Sequence, residues 1–520
     1  MEPRQQHPPA NHPTRHRKEG STHVRLVLRR RWSALAAGLL IVAAGVGLST
    51  ASADTGGGDA STATAKAKAK AKAAGQFRNP VNPGADPTVV HHDGNYYAAT
   101  TQGDAIRMWK SPSAATLLTS QAHEVWKDSD PSRNTQIWAP ALRKYEVDGK
   151  ERWYLYYTAS DGNDSAHRMY VLESEGTDPL GPYHFKGKVA DPNNDRWAID
   201  GEPFTLGGKL YFSWSGQRDD GVGNQLFIAP MSNPWTISGG RMYLPAEGNC
   251  PEVREGPTPL YNKDGRLYLT YSACDTGKPD YTIWSKSIAP DGNPMDAGAW
   301  TQEPGPMFSR NDEAGVYGPG HHSFFKSPDG TEDWIAYHAK NTSTYTYSWR
   351  TTRIQKIGWT ADGKPDLGRP AALGTALDLP AGDPGPGTKV INDTDEGTGD
   401  LQVSYTGNWN SGSQCGVQCY AGNDHWSQEK DATATFHFTG TQLALLSVKD
   451  TGNGIAAISV DGGEEQRVDY YGKPRVGEEL QWVSPKLDPG PHTVKVRVTG
   501  EKNADAGAAF VSIDRAEVTP

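Results

Sequence analysis

The sequence predicts an all-β protein, built as a five-bladed β-propeller followed by a jelly-roll β-sandwich. Three observations predict this class. Gly (58) and Pro (37) are numerous among the 520 residues, as short strands joined by tight turns require. One hairpin signature recurs five times, about every 55 to 65 residues, which suits propeller blades of several strands each. Short alternating strands follow a Pro/Gly-rich break near residue 380.

The N-terminus has the pattern of an export signal, and residues 1–53 are predicted to be a signal peptide. A basic stretch ends at Arg29–Arg31, an apolar run extends over Ala34–Leu48, and Ala51-Ser52-Ala53 offers a small-residue cleavage site. The apolar run is shorter than the ~20 residues that span a bilayer. We therefore expect a secreted protein without stable membrane association. An uncleaved anchor is the alternative, and the export route, Sec or Tat, stays open.

A low-complexity linker is predicted over residues 54–75, where Ala and Lys alternate without an apolar stripe. The propeller is predicted over residues 76–379. A sandwich or β-helix is the rival architecture, but neither explains one hairpin signature that recurs five times. The five turns are Asp93-Gly94, Asp148-Gly149, Gly207-Gly208, Asp264-Gly265 and Asp329-Gly330.

A Pro/Gly linker at residues 380–388 separates the predicted propeller from the C-terminal region. Residues 389–520 show short alternating strands and turns, which predict a β-sandwich of jelly-roll type. The linker composition predicts that the two domains separate, so that the propeller alone keeps its activity on short substrates.

Charge and cysteine content narrow the class of protein. The net charge of −9 argues against a nucleic-acid partner, which would require a basic face. The four cysteines fall into two local pairs, Cys250 with Cys274 and Cys415 with Cys419. In an exported protein these pairs are predicted to be disulfides rather than metal ligands.

Three acidic residues occupy similar points in the repeat, just before the hairpins of blades one, three and four. They are Asp86, Asp200 and Glu255. A single Asp beside Pro or Gly is ordinarily a turn former. Because the innermost strands of a propeller line one channel, three acids at the same phase predict convergence at its mouth. Converging carboxylates shift one another's pKa, which suits the acid and base that glycosidic hydrolysis requires.

The motifs around these acids, read in order, resemble glycoside hydrolase family 43. The resemblance covers nearly all of residues 77–370, and the segments around Met169 and Phe324 resemble its exo-acting α-L-arabinofuranosidase branch. The motifs are Ala85-Asp86-Pro87, Trp138-Ala139-Pro140, Ile199-Asp200-Gly201, Glu255-Gly256-Pro257 and Gly318-Pro319-Gly320-His321.

The resemblance implies a role for each acid. Asp86 resembles the general base that activates water, Glu255 the general acid, and Asp200 the residue that modulates the acid's pKa and orients it. The family inverts the anomeric configuration, so roughly 6.5 to 9.5 Å is expected between acid and base. Arg254 precedes the acid where relatives carry other residues, and we expect its side chain to point away. His322 also departs from the family pattern, in which Asn is common.

Four further residues are candidates for substrate binding: Trp138, His321, Phe77 and Trp109. For the aromatic residues the alternative is packing between blades. His321 resembles a family histidine on the propeller axis near a calcium ion with a water shell, and the alternative is a histidine hydrogen-bonded in a polar channel. No cofactor is required for the reaction.

The C-terminal sandwich resembles a carbohydrate-binding module. Asp514 resembles a late acidic position that holds structural calcium in such modules. The candidates for a sugar platform, which are equally candidates for the core, are Tyr405, Trp409, Trp426, Tyr470 and Tyr471.

The predicted function is a secreted, monomeric, inverting hydrolase that releases terminal α-L-arabinofuranose from plant cell-wall arabinan or arabinoxylan. Loops at residues 219–224 and 310–315 are expected to close the channel mouth, as exo action requires. A β-xylosidase or an endo-arabinanase of the same family is the alternative. A propeller that binds glycan without catalysis is the alternative of another class.

Overall fold

The computed structural model describes residues 75–520, and the all-β class is confirmed there. Every pair of strands is antiparallel. Among the described residues no helix is long and apolar enough to cross a bilayer. The predicted signal peptide, and the predicted linker up to residue 74, lie outside the described residues. Five one-turn 3₁₀ helices occur at Ala114–Thr116, Asp164–Ala166, Ala297–Ala299, Asp312–Ala314 and Tyr420–Gly422.

Strand β1 (Gln76–Phe77) precedes five antiparallel sheets, which follow one another along the chain. Sheet 1 contains β2 (Thr88–His92), β3 (Asn95–Ala99), β4 (Ile106–Ser111) and β5 (Ala122–Trp126). Sheet 2 contains β6 (Thr135–Val147), β7 (Lys150–Ser160), β8 (Arg168–Ser174) and β9 (Tyr183–Val189). Sheet 3 contains β10 (Ala198–Leu206), β11 (Lys209–Gly216), β12 (Gln225–Asn233), β13 (Thr236–Ile237) and β14 (Met242–Tyr243).

The last two sheets follow the same plan. Sheet 4 contains β15 (Arg254–Tyr261), β16 (Leu267–Ala273), β17 (Thr282–Ile288) and β18 (Thr301–Gln302). Sheet 5 contains β19 (Tyr317–Lys326), β20 (Asp333–Lys340), β21 (Thr351–Trp359) and β22 (Pro365–Asp366). The first strands of neighbouring sheets contact one another in a closed circuit, from β2 through β6, β10, β15 and β19 back to β2. This circuit places five inner strands around one centre, as the repeat predicts.

The start of the described chain closes the ring against sheet 5. Strand β1 pairs with β23 (Leu377–Asp378). The buried Asn79 side chain exchanges hydrogen bonds with the backbone of Ile354 at 3.0 and 2.9 Å. Phe77 and Trp109 pack with Trp334 in the apolar layer between sheets 1 and 5. Similar aromatic-rich layers lie between the other sheets, because large rings supply apolar area to a chain with few aliphatic residues.

The C-terminal region forms three further antiparallel sheets, and one apolar core unites side chains from all three. The first contains β24 (Lys389–Asn392), β29 (Gln442–Lys449), β32 (Val476–Val483) and β35 (Arg515–Thr519). The second contains β25 (Gln402–Thr406), β28 (Thr433–Gly440), β30 (Ile455–Val460), β31 (Gln466–Asp469) and β33 (Gly490–Val498). The third contains β26 (Asn410–Gly412), β27 (Asp424–Ser427) and β34 (Val511–Ile513).

The Pro/Gly segment does not act as a free tether, contrary to the expectation from its composition. Asp383 is buried, and its carboxylate accepts a hydrogen bond of 2.9 Å from the backbone of Ala114 in the ring of sheets. The amide of Ala381 donates to Glu332 at 3.0 Å. Local composition does not reveal this packing, because the partners of the segment are distant in sequence.

A buried polar interface joins the ring of sheets to the C-terminal region. Arg515 is fully buried; its Nε donates to Glu478 at 2.7 Å, and it also pairs with Glu517. Its other nitrogen lies 3.5 Å from the Asn79 carbonyl of the ring. Arg353 of β21 is also fully buried, beside the charges of Glu479 and Glu478. The predicted separation into independent domains therefore does not fit this interface.

Candidate active site

A backbone kink recurs once in each of the five sheets, within the inner strands of sheets 2 to 5 and two residues before β2 in sheet 1. The kinked residues have a left-handed backbone: Asp86, Ala139, Asp200, Gly256 and His321, with φ of 57°, 45°, 58°, 56° and 41°. In sheets 2 to 5 the pairing register shifts at the kink. Such bulges redirect side chains, and positive φ at residues other than Gly clusters at functional sites.

The kinks bring two of the predicted acids to one pocket, and the third precedes a residue of its lining. Its lining includes Asp86 and Asp200 together with Gly256 and His321. Glu255 comes directly before the kink of sheet 4, one position out of phase with the other two acids. Asp86, Asp200 and Glu255 are 7%, 8% and 8% exposed. The similar points in the sequence repeat thus correspond to neighbouring positions in space, close enough for the charge of Asp86 to act on Glu255.

Asp86 is surrounded by hydrogen-bond donors. Thr101 donates to its Oδ2 at 2.7 Å, and Arg350 donates to its Oδ1 at 3.1 Å. His338 Nδ1 lies 2.9 Å from the same Oδ1. Burial by itself would raise the pKa of Asp86, but the charge of Arg350, with His321 and His338, outweighs burial and holds that pKa well below its usual range. Asp86 is therefore a carboxylate under all ordinary conditions.

Glu255 lies in the opposite environment. Burial, followed by the negative charge of Asp86, raises its pKa to about 7, although a hydrogen bond from the Tyr281 hydroxyl opposes the shift. Tyr281 Oη donates to Glu255 Oε1 at 2.8 Å. Arg254 points away from the pocket, as expected, because its guanidinium binds the carbonyls of Ala246 and Cys250. Glu255 therefore retains a proton up to neutral pH.

Asp200 is linked to the backbone that carries Glu255. Its Oδ2 accepts a hydrogen bond of 3.2 Å from the Gly256 amide, and its own amide donates to Thr158 at 3.0 Å. Burial, and then the charges of Glu255 and Asp86, raise its pKa well above the usual range. The charge of Glu255 thus adds to burial in holding a proton on Asp200.

The predicted binding residues have different surroundings. Trp138 is half-buried and stacks on His167, with ring centroids 4.1 Å apart. His321 lines the pocket, and its Nδ1 lies 3.5 Å from Asp86. Phe77 and Trp109 are not brought to the pocket. Both are buried in the layer between sheets 1 and 5, so their role is packing, the alternative that the sequence left open.

The two predicted calcium sites differ in how well their residues suit the ion. His321 offers a single imidazole, and the adjacent Asp86 is already bound by Arg350 and His338; calcium prefers oxygen ligands, so direct coordination does not fit there. Asp514 is fully buried, and its Oδ2 has no hydrogen-bond partner. Asp393, also fully buried, is adjacent, with its amide donating to the Asp514 carbonyl at 2.8 Å. Asp514 therefore offers an unpartnered carboxylate oxygen, a ligand that a hard cation prefers, whereas Asp393 Oδ2 already lies 2.7 Å from His425 Nδ1.

The aromatic candidates of the C-terminal region are mostly engaged elsewhere. Tyr470 is fully buried in the core, and Tyr405 and Trp409 pack against that core. Tyr405 also stacks on His425, with centroids 4.7 Å apart. Trp426 and Tyr471 are half-buried. Both cysteine pairs are disulfide-bonded, as the spacing predicts: Cys250 with Cys274, and Cys415 with Cys419.

Four functional residues were missed by sequence reasoning: Thr101, Tyr281, His338 and Arg350. His338 interrupts the apolar run of β20, and a polar residue inside a buried strand was the available signal. The other three lie in loops or at strand ends without a repeated position. The segment 310–315, expected at the channel mouth, instead meets the C-terminal region, where Gln418 donates to the Ala314 carbonyl at 2.9 Å.

Two buried carboxylates, one kept ionised and the other kept protonated, define the site of a glycoside hydrolase. The sequence model of glycosyl hydrolases family 43 matches residues 77–365. The chain belongs to this family. It is 36% identical over 321 residues to an extracellular exo-α-(1→5)-L-arabinofuranosidase of Streptomyces avermitilis, a match of 57% of this chain and 64% of that protein.

Two further proteins show the same likeness. An extracellular exo-α-(1→5)-L-arabinofuranosidase of Streptomyces chartreusis is 34% identical over 279 residues, a match of 51% of this chain and 82% of that protein. The crystal structure of an α-L-arabinofuranosidase from Lactobacillus brevis aligns with a TM-score of 0.53 at 29% identity. That alignment covers 57% of this chain and 98% of the other. This chain thus spans less than two thirds of the Streptomyces avermitilis protein's length.

Proposed function

We propose that this chain is a secreted, inverting, exo-acting α-L-arabinofuranosidase, which removes terminal α-L-arabinofuranose from plant cell-wall arabinan or arabinoxylan. The observation that carries the reaction class is the opposite pKa shift of two pocket carboxylates, downward at Asp86 and up to about 7 at Glu255. The names of the relatives support the sugar and the exo mode.

In this proposal Asp86 removes a proton from water as the water attacks the anomeric carbon. Glu255 donates its proton to the leaving oxygen on the opposite side of the sugar ring. Asp200, through the Gly256 amide, orients the backbone that carries Glu255. Its repulsion with Glu255 keeps a proton on the pair. Arg350 and Thr101 fix the carboxylate of Asp86, since each binds a different oxygen.

The roles of acid and base can be separated with two leaving groups. Glu255→Gln should lower kcat/KM on arabinotriose by about 10² to 10⁴, but far less on 4-nitrophenyl α-L-arabinofuranoside, whose leaving group needs little protonation. Asp86→Asn should lose activity on both substrates, because both need an activated water. Asn293→Asp, which adds a carboxylate in an exposed turn away from the pocket, is the control. Equal losses of Glu255→Gln on both substrates would contradict its role as the acid.

The identity of the first products tests whether the enzyme attacks chain ends or internal bonds. Linear arabinan should yield free arabinose from the first minutes, with slow loss of viscosity. Early dimers and trimers would indicate an endo-arabinanase, and release of xylose from xylo-oligosaccharides a β-xylosidase. Binding without any release would indicate a non-catalytic glycan-binding protein. Proton NMR of the first product should show the β anomer if the configuration inverts.

The remaining features of the proposal concern architecture and location. The ring of sheets is assigned to a five-bladed propeller and the C-terminal sheets to a jelly-roll, carbohydrate-binding-like module. Residues 1–53 are assigned to a cleaved signal peptide, which N-terminal sequencing of the secreted protein would test. We also assign the protein as a monomer, which light scattering would test. We expect the reaction to need no cofactor.

Calcium is proposed as a structural ion in the C-terminal module, held by Asp514 and Asp393. If it binds there, calcium should raise the melting temperature, and Asp514→Asn should abolish that increase. An axial calcium near His321 would require a water shell, because the residues there do not fit direct coordination. Elemental analysis of the purified protein gives the number of calcium ions per chain. Zero ions would mean that neither site binds calcium, one that a single site does, and two that both do.

A further inference from the structure

Two tyrosines stand exposed beside the pocket. Tyr345 and Tyr347 are each 55% exposed, the highest exposure of any large hydrophobic side chain in the part of the chain that the structure describes. Their rings meet edge to face with centroids 5.7 Å apart. Both hydroxyls contact Asp275 Oδ2, at 3.2 and 3.0 Å, and lie 2.8 Å from one another. The hydroxyls are thus engaged while much of the ring surface is open to solvent.

The tyrosine pair adjoins the catalytic groups on the side of Glu255. Asp275 lies two residues beyond the end of β16, the strand in which Ser272 pairs with Glu255. The charge of Asp275 is close enough to Glu255 to raise its pKa. On the other side, the Tyr347 carbonyl accepts a hydrogen bond of 2.9 Å from Arg350, whose guanidinium also donates to Asp86. The Arg350 side chain therefore links the backbone of Tyr347 to the proposed general base, Asp86.

A buried lysine holds the tyrosine loop in place. Lys340 is fully buried, and its ammonium donates to the Gly277 carbonyl and to those of Thr344 and Thr346, the last two at 3.4 and 3.3 Å. The Thr346 amide also donates to the Gly277 carbonyl at 3.1 Å. The loop is thereby fixed to the segment that carries Asp275. A surface fixed before binding loses little conformational entropy when a ligand arrives.

We propose that the rings of Tyr345 and Tyr347 form a platform for the leaving-group sugar, the residue of arabinan or arabinoxylan from which the terminal arabinose is cut. This inference rests on the proposed function. A general acid protonates the leaving oxygen, so the leaving-group sugar lies on the side of Glu255, where the tyrosines stand. Exposed aromatic rings with an engaged hydroxyl offer an apolar surface to the C–H faces of a sugar.

The test compares two substrates that share the terminal sugar and differ in the leaving group. Arabinotriose carries a leaving-group sugar, whereas α-L-arabinofuranosyl fluoride carries none. The double variant Tyr345→Ala/Tyr347→Ala should lower kcat/KM on arabinotriose by about tenfold, mainly through KM. Its kcat/KM on the fluoride should stay within twofold of wild type, which also shows that the variant is folded.

Two further variants sharpen the comparison. Tyr345→Phe/Tyr347→Phe keeps both rings and should retain most of the activity on arabinotriose. Tyr261→Ala removes an exposed tyrosine at the far end of β15 from Glu255 and should act as wild type on both substrates. An unchanged kcat/KM of the double Ala variant on arabinotriose, or equal losses on both substrates, would overturn the platform. Wild type that cleaves neither substrate would instead overturn the proposed function on which the platform rests.

Discussion

Tyr281 and His338 stack face to face, with ring centroids 5.5 Å apart and planes within 6° of parallel. Tyr281 donates to Glu255, and His338 contacts Asp86, so one stacked pair supports both carboxylates. Burial lowers the pKa of His338 to about 4. The ring is therefore neutral at pH 7. Its Nδ1 faces both Asp86 Oδ1 and the Asp86 amide, at 2.9 and 3.3 Å, and its Nε2 lies 3.1 Å from the Thr276 hydroxyl.

The pH dependence of the wild-type enzyme follows from the two catalytic groups. Glu255 must be protonated, so kcat/KM should be full below its pKa of about 7 and fall above it. Asp86 must be ionised, and its lowered pKa keeps it so down to well below pH 4. We expect a plateau through pH 5 and an alkaline limb near pH 7, measured on arabinotriose between pH 4 and 9. On arabinofuranosyl fluoride, which needs no acid, the alkaline limb should vanish; a limb that persists there would contradict its assignment to Glu255.

Removing the Tyr281 hydroxyl should move the alkaline limb upward. Its hydrogen bond stabilises the ionised form of Glu255 and so lowers that pKa. In Tyr281→Phe the pKa therefore rises, the acid stays protonated to higher pH, and the limb shifts in the alkaline direction. Tyr337→Phe is the control. It removes a different buried hydroxyl, which belongs to sheet 5 and contacts Gln355, and it should leave the alkaline limb in place. A shift toward lower pH in Tyr281→Phe would show that the hydroxyl does not act on Glu255.

Arg350 should control the acid limb. Its charge is the largest influence that opposes the effect of burial on Asp86. In Arg350→Met the pKa of Asp86 should rise, because the largest influence that opposes burial is then lost. The base becomes protonated at moderately acidic pH, and an acid limb should appear in the pH profile of kcat/KM. Arg107→Met, which removes a partly exposed arginine paired with Asp104, is the control. An unchanged acidic side of the pH profile in Arg350→Met would mean that the other hydrogen-bond donors to Asp86 are sufficient to keep its pKa low.

The three acids could be predicted from the sequence because their positions repeat. Each sheet of the ring has one segment ahead of its hairpin, so Asp86 and Asp200 stand out by phase, and Glu255 lies one position away. Their partners do not repeat. Tyr281 and Arg350 come from parts of sheets 4 and 5 that have no counterpart in the other sheets, and a single sequence contains no signal for such contacts.

The predictions of a free linker and of pocket positions for Phe77 and Trp109 were wrong for a related reason. Composition reports what a segment can do when free, but Asp383 is held by the backbone of Ala114, which is distant in sequence. Phe77 was a candidate for sugar binding as an aromatic residue, with packing between sheets as the alternative. In the structure it closes the ring of sheets as part of an apolar layer, because an aromatic side chain gains more from burial than from exposure.

The buried arginines make the C-terminal region part of the folded enzyme. A chain that ends at Leu379 would leave Arg353 without Glu478 and Glu479, and an uncompensated buried charge is strongly destabilising. We expect this truncated chain to be insoluble or to lack activity. A soluble truncated chain with full activity on short substrates would show that the domains are independent after all.

A point variant tests the buried ion pairs of Arg515 in the full chain. Arg515→Met leaves Glu478 and Glu517 buried without their partner and should lower the free energy of unfolding by about 3 to 5 kcal/mol. Arg497→Met, which removes a partly exposed arginine paired with Glu465, should cost no more than about 1 kcal/mol. Urea unfolding of both variants, with activity followed in parallel, measures the difference. Equal stabilities of the two variants would show that the buried ion pairs of Arg515 do not stabilise the fold.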